Sequence, residues 1–213
     1  MNHSAWKLVK SFYCLDTDTS IDRWEGCIPE FLKVGINFVE RRIGTEGENR
    51  YLSFNHAHYK AIEKGHKTGE PFCVFENDVA FDDKWKYIEE GCNQLPEDWD
   101  LLYLGANIIG SDTMVWEMPT RYSQNLFRLH NSWMTHAIIY SNKMAKWVLD
   151  NFNPDTFPVY DEWLRVTAMP ERNVFLLYPM VAYQRKGWSV LTRQQADYSS
   201  CSVQGNDYLK RVV

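Results

Sequence analysis

Phe72-Cys73-Val74-Phe75-Glu76-Asn77-Asp78-Val79 sets four apolar residues directly before two carboxylates that stand two positions apart. A short continuous apolar run is the pattern of a strand buried on both faces, as in parallel sheets covered by helices. Open sheets of that kind bind ligands in the crevice beyond the carboxyl ends of their strands. Glu76 and Asp78 are therefore expected to face a cleft. Two hard oxygen ligands suit a divalent cation such as Mn²⁺ or Mg²⁺. One member of the pair holding a ribose hydroxyl and the other the metal fits as well, and the plain alternative is a solvated acidic turn. The surrounding chain has to decide.

Working outward, Ser11-Phe12-Tyr13-Cys14-Leu15 reads as a first strand, closed by the polar turn from Asp16 to Ser20. Trp24, Cys27, Ile28, Phe31 and Leu32 then recur at helical spacing, with Pro29 inside the pattern and Gly35 as a stop. Ile36 to Arg42 is a candidate strand, and Asn55 to Lys64 a helix ending at Gly65. Beyond the acidic segment come a helix over Trp85 to Cys92 and a buried strand over Asp100 to Gly105. This alternation predicts an α/β sheet that is largely parallel.

From Ala106 to Gln124 periodicity fades, and the stretch reads as a loop that closes over the site. Ala137 to Tyr140 is a strand, and Ser141 caps a helix whose apolar face is Met144, Ala145, Val148, Leu149 and Phe152. Asp161-Glu162 opens a short helix closed at Pro170. The last dozen residues read as a polar tail or a docking strand.

At 213 residues the chain is expected to form a single domain, 1–213. A formal net charge of -5 argues against a broad DNA-binding surface without excluding a local basic groove. The nine Trp and twelve Tyr suit stacking on sugars or bases, although core packing accounts for most such residues. Five cysteines with no Cys-x-x-Cys spacing point to reduced thiols. The amino terminus has no apolar core of a leader, and no window approaches the roughly 18 apolar residues of a membrane span. The expected location is cytoplasmic, in a bacterium or a virus-infected cell.

Seven elements then fall in a familiar order: Asp22-Arg23-Trp24-Glu25, Asn55-His56 with Tyr59, Glu76-Asn77-Asp78-Val79, Trp99 to Gly105, Thr135-His136-Ala137 to Ala145, Asp161-Glu162, and Tyr178-Pro179 with Gln184 and Ser189. Together they resemble glycosyltransferase family 25, the lipooligosaccharide-biosynthesis type that includes collagen galactosyltransferase domains. Asn77 stands where that family has an acid, and Asn55 where it has Ser. The resemblance implies a GT-A type, Rossmann-like mixed and mostly parallel sheet flanked by helices. The nucleotide-sugar half would span about 8–105 and the acceptor and catalytic half about 106–213.

The implied activity is metal-dependent transfer of a hexosyl or pentosyl group, with inversion, from a nucleoside-diphosphate sugar, UDP foremost, to an acceptor hydroxyl. The acceptor is a glycan or glycolipid precursor, or alternatively a hydroxymethylated base in phage DNA. In that frame Asp78 is the leading metal ligand (Mn²⁺ or Mg²⁺), Glu76 a second ligand or ribose partner, and His136 either a third ligand or a structural histidine. Asn77 orients its neighbours, Arg23 holds phosphate, Asp16 meets base or ribose, and His56 approaches the diphosphate. His56 and His58 project about 200° apart on a helix and cannot share an ion. Asp161 or Glu162, at a helix start where the dipole favours a carboxylate, is the general base. Two other classes compete: a two-carboxylate hydrolase using Asp78 with Asp161 or Glu162, and a non-catalytic nucleotide-sugar-binding module.

Overall fold

The computed structural model describes residues 4–17, 21–44, 49–109, 117–156, 158–189 and 192–212. After a 3-10 turn at Ser4–Trp6, the elements are β1 (Ser11–Thr17), α1 (Ile21–Lys33), β2 (Glu40–Gly44), α2 (Arg50–His66), β3 (Phe72–Glu76), β4 (Val79–Phe81), α3 (Tyr87–Asn93) and β5 (Leu101–Tyr103). There follow β6 (Thr120–Arg121), β7 (Leu126–Arg128), β8 (Ala137–Tyr140), α4 (Asn142–Asn151), α5 (Tyr160–Trp163), a π-helical turn (Leu164–Ala168), α6 (Met169–Glu171), β9 (Val174–Leu177), β10 (Ala182–Gln184), β11 (Gly187–Ser189), β12 (Gln194–Ala196) and α7 (Ser199–Arg211).

Eight of these strands form one mixed sheet in the order β2-β1-β3-β8-β5-β9-β7-β6. β1 runs parallel to β2 and β3, and β5 parallel to β9. β8 is antiparallel to both β3 and β5, so it lies reversed in the middle of the sheet. The reversal matters for function. The amino-terminal end of β8 meets the carboxyl ends of β1, β3 and β5 at one edge, delivering Thr135 to the place where Glu76 emerges.

Both faces of the sheet's centre are covered, which is why β3, β8, β5 and β9 read as unbroken apolar runs, while the edge strands β2 and β6 do not. Side chains still alternate. Tyr13, Leu15, Phe72, Val74, Leu101, Tyr103, Ile138 and Tyr140 pack against Ala61 and Ile62 of α2 and Met144, Ala145 and Val148 of α4. Phe12, Cys14, Cys73, Phe75, Leu102 and Ile139 pack on the opposite side against Trp6, Cys27 and Phe31 of α1 and Ile88 of α3. Phe75 is the centre of the second layer, with Phe31 at 5.1 Å and Phe81 at 5.9 Å between ring centroids. All five cysteines are free thiols.

Several expectations are adjusted. The second strand forms only at Glu40–Gly44, and α2 begins at Arg50 because Asn49 caps it, its side-chain oxygen accepting from the Tyr51 and Leu52 amides. The terminal stretch expected as a tail or docking strand is instead helix α7. Its inward residues are Ser202, Gly205 and Leu209, and a Cβ on Gly205 would lie 2.3 Å from Met180 Cε. That small, polar seam carries too little apolar signal to be read as a helical face. The expected closing loop, 106 to 124, falls partly outside the described residues; within them Asn107 bridges to Trp133, and Thr120–Arg121 pairs with β7. Among the described residues no helix is long and apolar enough to cross a membrane.

Candidate functional site

A cleft of about 1050 Å³ opens at the carboxyl edge of the sheet. Its lining draws on the ends of β1 and β3, the first turns of α1 and α2, the segment before β8, Asp161 of α5, and the β10 to β12 region. Gly105 makes this arrangement possible beyond β5, because a Cβ there would lie 1.9 Å from the Ala182 carbonyl oxygen. The close approach carries β10, and with it Gln184 and Arg185, up to the acidic turn.

Glu76 ends β3 and turns inward. Thr135 Oγ1 donates to its Oε1 at 2.7 Å, and His58 Nε2 lies 3.9 Å away. Burial, and then the neighbouring charge of Asp78, push its carboxyl up to about 8, so it is largely protonated at neutral pH. His58 is fully buried between Phe54 and Tyr160, both with ring centroids at 4.6 Å, and burial drives its pKa down to about 3. The floor of the cleft is thus built from groups held neutral.

Asp78, two residues on, faces an arginine and a side-chain amide. Arg23 Nη2 donates to its Oδ2 at 2.5 Å, and Gln184 Nε2 lies 3.3 and 3.4 Å from its two oxygens. The other terminal nitrogen of Arg23 reaches the Trp188 carbonyl oxygen at 3.2 Å, tying the β11–β12 hairpin to the turn. Arg185 secures the turn from behind: its Nη2 donates to the carbonyl oxygens of Asn77 and Arg23, both at 2.9 Å, and to Cys27 Sγ at 3.1 Å. Gly26 leaves the room, since a Cβ there would lie 2.1 Å from Arg185 Nη1.

Between the two acids, Asn77 is buried and its Nδ2 donates to Asp16 Oδ1 at 2.5 Å. Arg41 Nε donates to the other oxygen of Asp16 at 2.6 Å, and the Asp16 side chain has no exposed surface. Asp16 borders the cleft, but its carboxylate serves this internal pairing, which turns it away from the base or ribose contact expected of it.

The structure separates the two candidate bases. Asp161 lines the cleft, and burial raises its carboxyl to about 6, only partly offset by the Glu162 backbone amide, which donates to its Oδ1 at 2.8 Å. Glu162 does not line the cleft and makes a two-pronged ion pair with Arg165, at 2.6 and 2.8 Å. Arg165 in turn stacks on the Trp133 ring, 4.8 Å from its centroid. The π-helical turn starts one residue before Arg165, a local widening that recurs at functional sites.

His56 Nε2 pairs with Asp155 Oδ1 at 2.8 Å and does not line the cleft, so the structure does not bring it to the expected diphosphate position. His56 and His58 meet different partners, as their helical spacing requires. His136 is buried without lining the cleft, its pKa lowered by burial. It does not join Glu76 and Asp78 as a ligand set, and among the described residues no three His, Cys, Asp or Glu side chains form a ready metal cage.

The two carboxylates nevertheless fit a hard cation. Mg²⁺-type sites are commonly held by one or two carboxylates, with substrate phosphates and water completing the shell. A cation would also relieve the repulsion by which Asp78 raises Glu76. Asp78 and Glu76 are the residues that would hold it, Glu76 only after losing its proton.

Residues missed in the sequence are His58, Thr135, Arg50, Arg185 and Trp188. His58 was legible only as the inward member of the Phe54, His58, Ile62 face of α2; Thr135, Arg185 and Trp188 gain their place from contacts more than fifty residues away in the chain, and Arg50 lines the cleft from the first turn of α2.

No family model and no curated protein sequence matches this chain. Among solved structures, A197 from STIV is similar over 89% of this chain and 95% of its own, at 13% identity and a TM-score of 0.50. A glycosyltransferase involved in the glycosylation of the major capsid of PBCV-1 is similar over 95% of this chain and 100% of its own, at 12% identity and a TM-score of 0.50. These likenesses establish the fold as GT-A-like, a Rossmann-type mixed sheet flanked by helices. They do not single out family 25.

Proposed function

We propose that this chain is a glycosyltransferase that moves a sugar from a nucleoside-diphosphate donor, UDP foremost, to an acceptor hydroxyl with inversion. The observation that carries the reading is one cleft, at the carboxyl edge of a GT-A-like sheet, holding a strand-end acidic turn paired with arginine and, separately, an ionisable base raised toward neutrality.

Arg23 is placed to exchange its bond with Asp78 for one to a donor phosphate, countering charge on the leaving diphosphate. A divalent cation held chiefly by Asp78, with Glu76 a secondary ligand once deprotonated, would add Lewis-acid neutralisation of that charge. Asp161 takes the proton from the acceptor hydroxyl, and a pKa of about 6 leaves it deprotonated at neutral pH yet basic enough to work. Trp133 and Trp188 line the cleft with apolar surface suited to a sugar or base ring.

A glycan or glycolipid precursor is the preferred acceptor, supported by the net charge of -5 and by the involvement of the PBCV-1 protein in glycosylation of the major capsid. A hydrolase pairing Asp78 with Asp161 is less well supported, because the Asp78 carboxylate is already engaged by Arg23 and Gln184.

Thermal shift across a panel of nucleotide sugars, with and without Mn²⁺, followed by assay of released nucleoside diphosphate, tests the proposal. A donor that raises the melting midpoint and is turned over on adding a sugar acceptor supports it. No shift with any nucleotide sugar, or binding without turnover under all acceptors, sinks the transferase reading, the latter in favour of a binding module.

A further inference from the structure

We propose that Asn77 is a positioning residue: its amide fastens the acidic turn to the buried Asp16–Arg41 pair and thereby fixes where Asp78 sits. The inference rests on the reading that Asp78 faces the donor.

Asp16 is the reason an amide is needed. A carboxylate with no exposed surface must be paired and hydrogen-bonded on all sides. Arg41 supplies the charge from β2. Tyr13 to Thr17 of β1 pair in parallel register with Glu40 to Gly44, which sets Asp16 opposite Ile43 and Arg41 on the diagonal, on the same face of the ladder. The Arg41 guanidinium also lies over the Trp24 ring of α1, 5.4 Å from its centroid. Asn77 Nδ2 then donates to the second oxygen of Asp16, joining the turn after β3 to β1, β2 and α1 in one connected unit.

The main chain of Asn77 is held as well, its carbonyl oxygen accepting from Arg185 Nη2 at 2.9 Å and Cys27 Sγ at 3.1 Å. The middle residue is therefore gripped by side chain and backbone, while Glu76 and Asp78 on either side remain in the cleft lining. Asparagine is uniquely suited among residues of its size. An aspartate would place a second acceptor oxygen, and a second negative charge, against Asp16 where a donor now stands. Arg41 is already committed, so the turn would move and carry Asp78 away from Arg23 and Gln184.

The test is a double-mutant cycle with Asn77→Asp, Asp16→Asn and the combined swap, reading two quantities. The first is the melting midpoint without ligand; the second is UDP affinity by calorimetry, with Mn²⁺ and with chelator. Asn77→Asp is expected to lower the midpoint by roughly 5 °C, the scale for one broken buried hydrogen bond with its unpaired partner. It should also weaken UDP binding about tenfold in Mn²⁺, with a smaller loss in chelator. The swap restores an amide–carboxylate pair and should recover most of both losses. If Asn77→Asp fails to fold while the swap folds, the pairing is supported.

An unchanged midpoint and affinity in Asn77→Asp would overturn the proposal. So would additive losses in the swap, a swap that does not fold, or equal losses of UDP affinity with and without Mn²⁺, which mark a purely structural role. If the parent binds no UDP or other nucleotide, the donor reading fails, and the ligand-free melting cycle still decides the pairing.

Discussion

Glu76 and Asp78 are two residues apart in one turn, yet they occupy opposite chemical worlds. Glu76 faces inward to Thr135, to a histidine kept neutral by burial, and to the aromatic wall of α2 and α5, and it is largely protonated at neutral pH. Asp78, no more exposed, meets Arg23 and Gln184 instead. Strand alternation alone would send residues 76 and 78 the same way. The strand ends at Glu76, however, and the turn held at Asn77 re-aims Asp78 before β4 begins at Val79. A strand-end pair of acids thus need not act as two equivalent ligands: burial holds Glu76 largely neutral, while Asp78 is paired with an arginine.

Four changes sharpen or break this contrast. The largest expected effect is on chemistry. Asp161→Asn should lower kcat by roughly 10²-fold or more while donor affinity stays near the parent's, the usual scale for a lost general base. Glu162→Gln, which removes only the partner of Arg165, should leave kcat within a few-fold. Steady-state kinetics on both variants would reveal the reverse ranking if the assignment is wrong.

A pH profile comes next. As the proposed base Asp161 would have to be deprotonated, so kcat should rise with pH through about 6 and level off above it, and the Asp161→Asn variant should lose that limb. A parent profile flat between pH 5 and 7 contradicts the role.

Third, His58 tests the neutral floor through stability. Its folded pKa is about 3 and its unfolded value near 6.5, so below 6.5 the unfolded chain takes up a proton that the folded chain refuses. The stability that neutral His58 contributes is complete above 6.5 and declines as pH falls toward 3. Relative to His58→Phe, the parent should lose about 2 kcal/mol between pH 7 and pH 5, measured by urea unfolding. Parallel stability curves for the two proteins would show that His58 is accessible to protons. The smallest effect is expected for Thr135→Val, which deletes the 2.7 Å bond to Glu76 and should cost about 1 kcal/mol without abolishing donor binding.

How much of this was legible in the sequence follows from the range of each interaction. β1, β3, β5 and β8 were readable because strands buried on both faces are apolar throughout, and the Ser141 cap because capping is local: its hydroxyl accepts from the Met144 amide at 3.2 Å. The cleft position of Asp78 and Asp161 followed from where their elements stop and start. The internal role of Asp16 was not legible, since it depends on the register that sets Arg41 diagonal to it and on an amide 61 residues away. Arg185 was equally hidden, because only the close approach of β10 past Gly105 brings it behind the turn. α7 was missed because a helix packed through Ser202 and Gly205 carries almost no apolar periodicity.

The division of labour between the two acids is tested most directly by Mn²⁺-dependent donor binding and turnover in Asp78→Ala beside Glu76→Gln. Glutamine copies the protonated form of Glu76 and keeps an oxygen toward the cleft, so that variant should retain donor binding within several-fold of the parent. Asp78→Ala should fold normally and lose at least about 10²-fold in metal-dependent turnover, the magnitude of a lost electrostatic contact to the leaving group. Equal losses in the two variants, or transfer by Asp78→Ala at the parent rate with chelator present, would contradict the account.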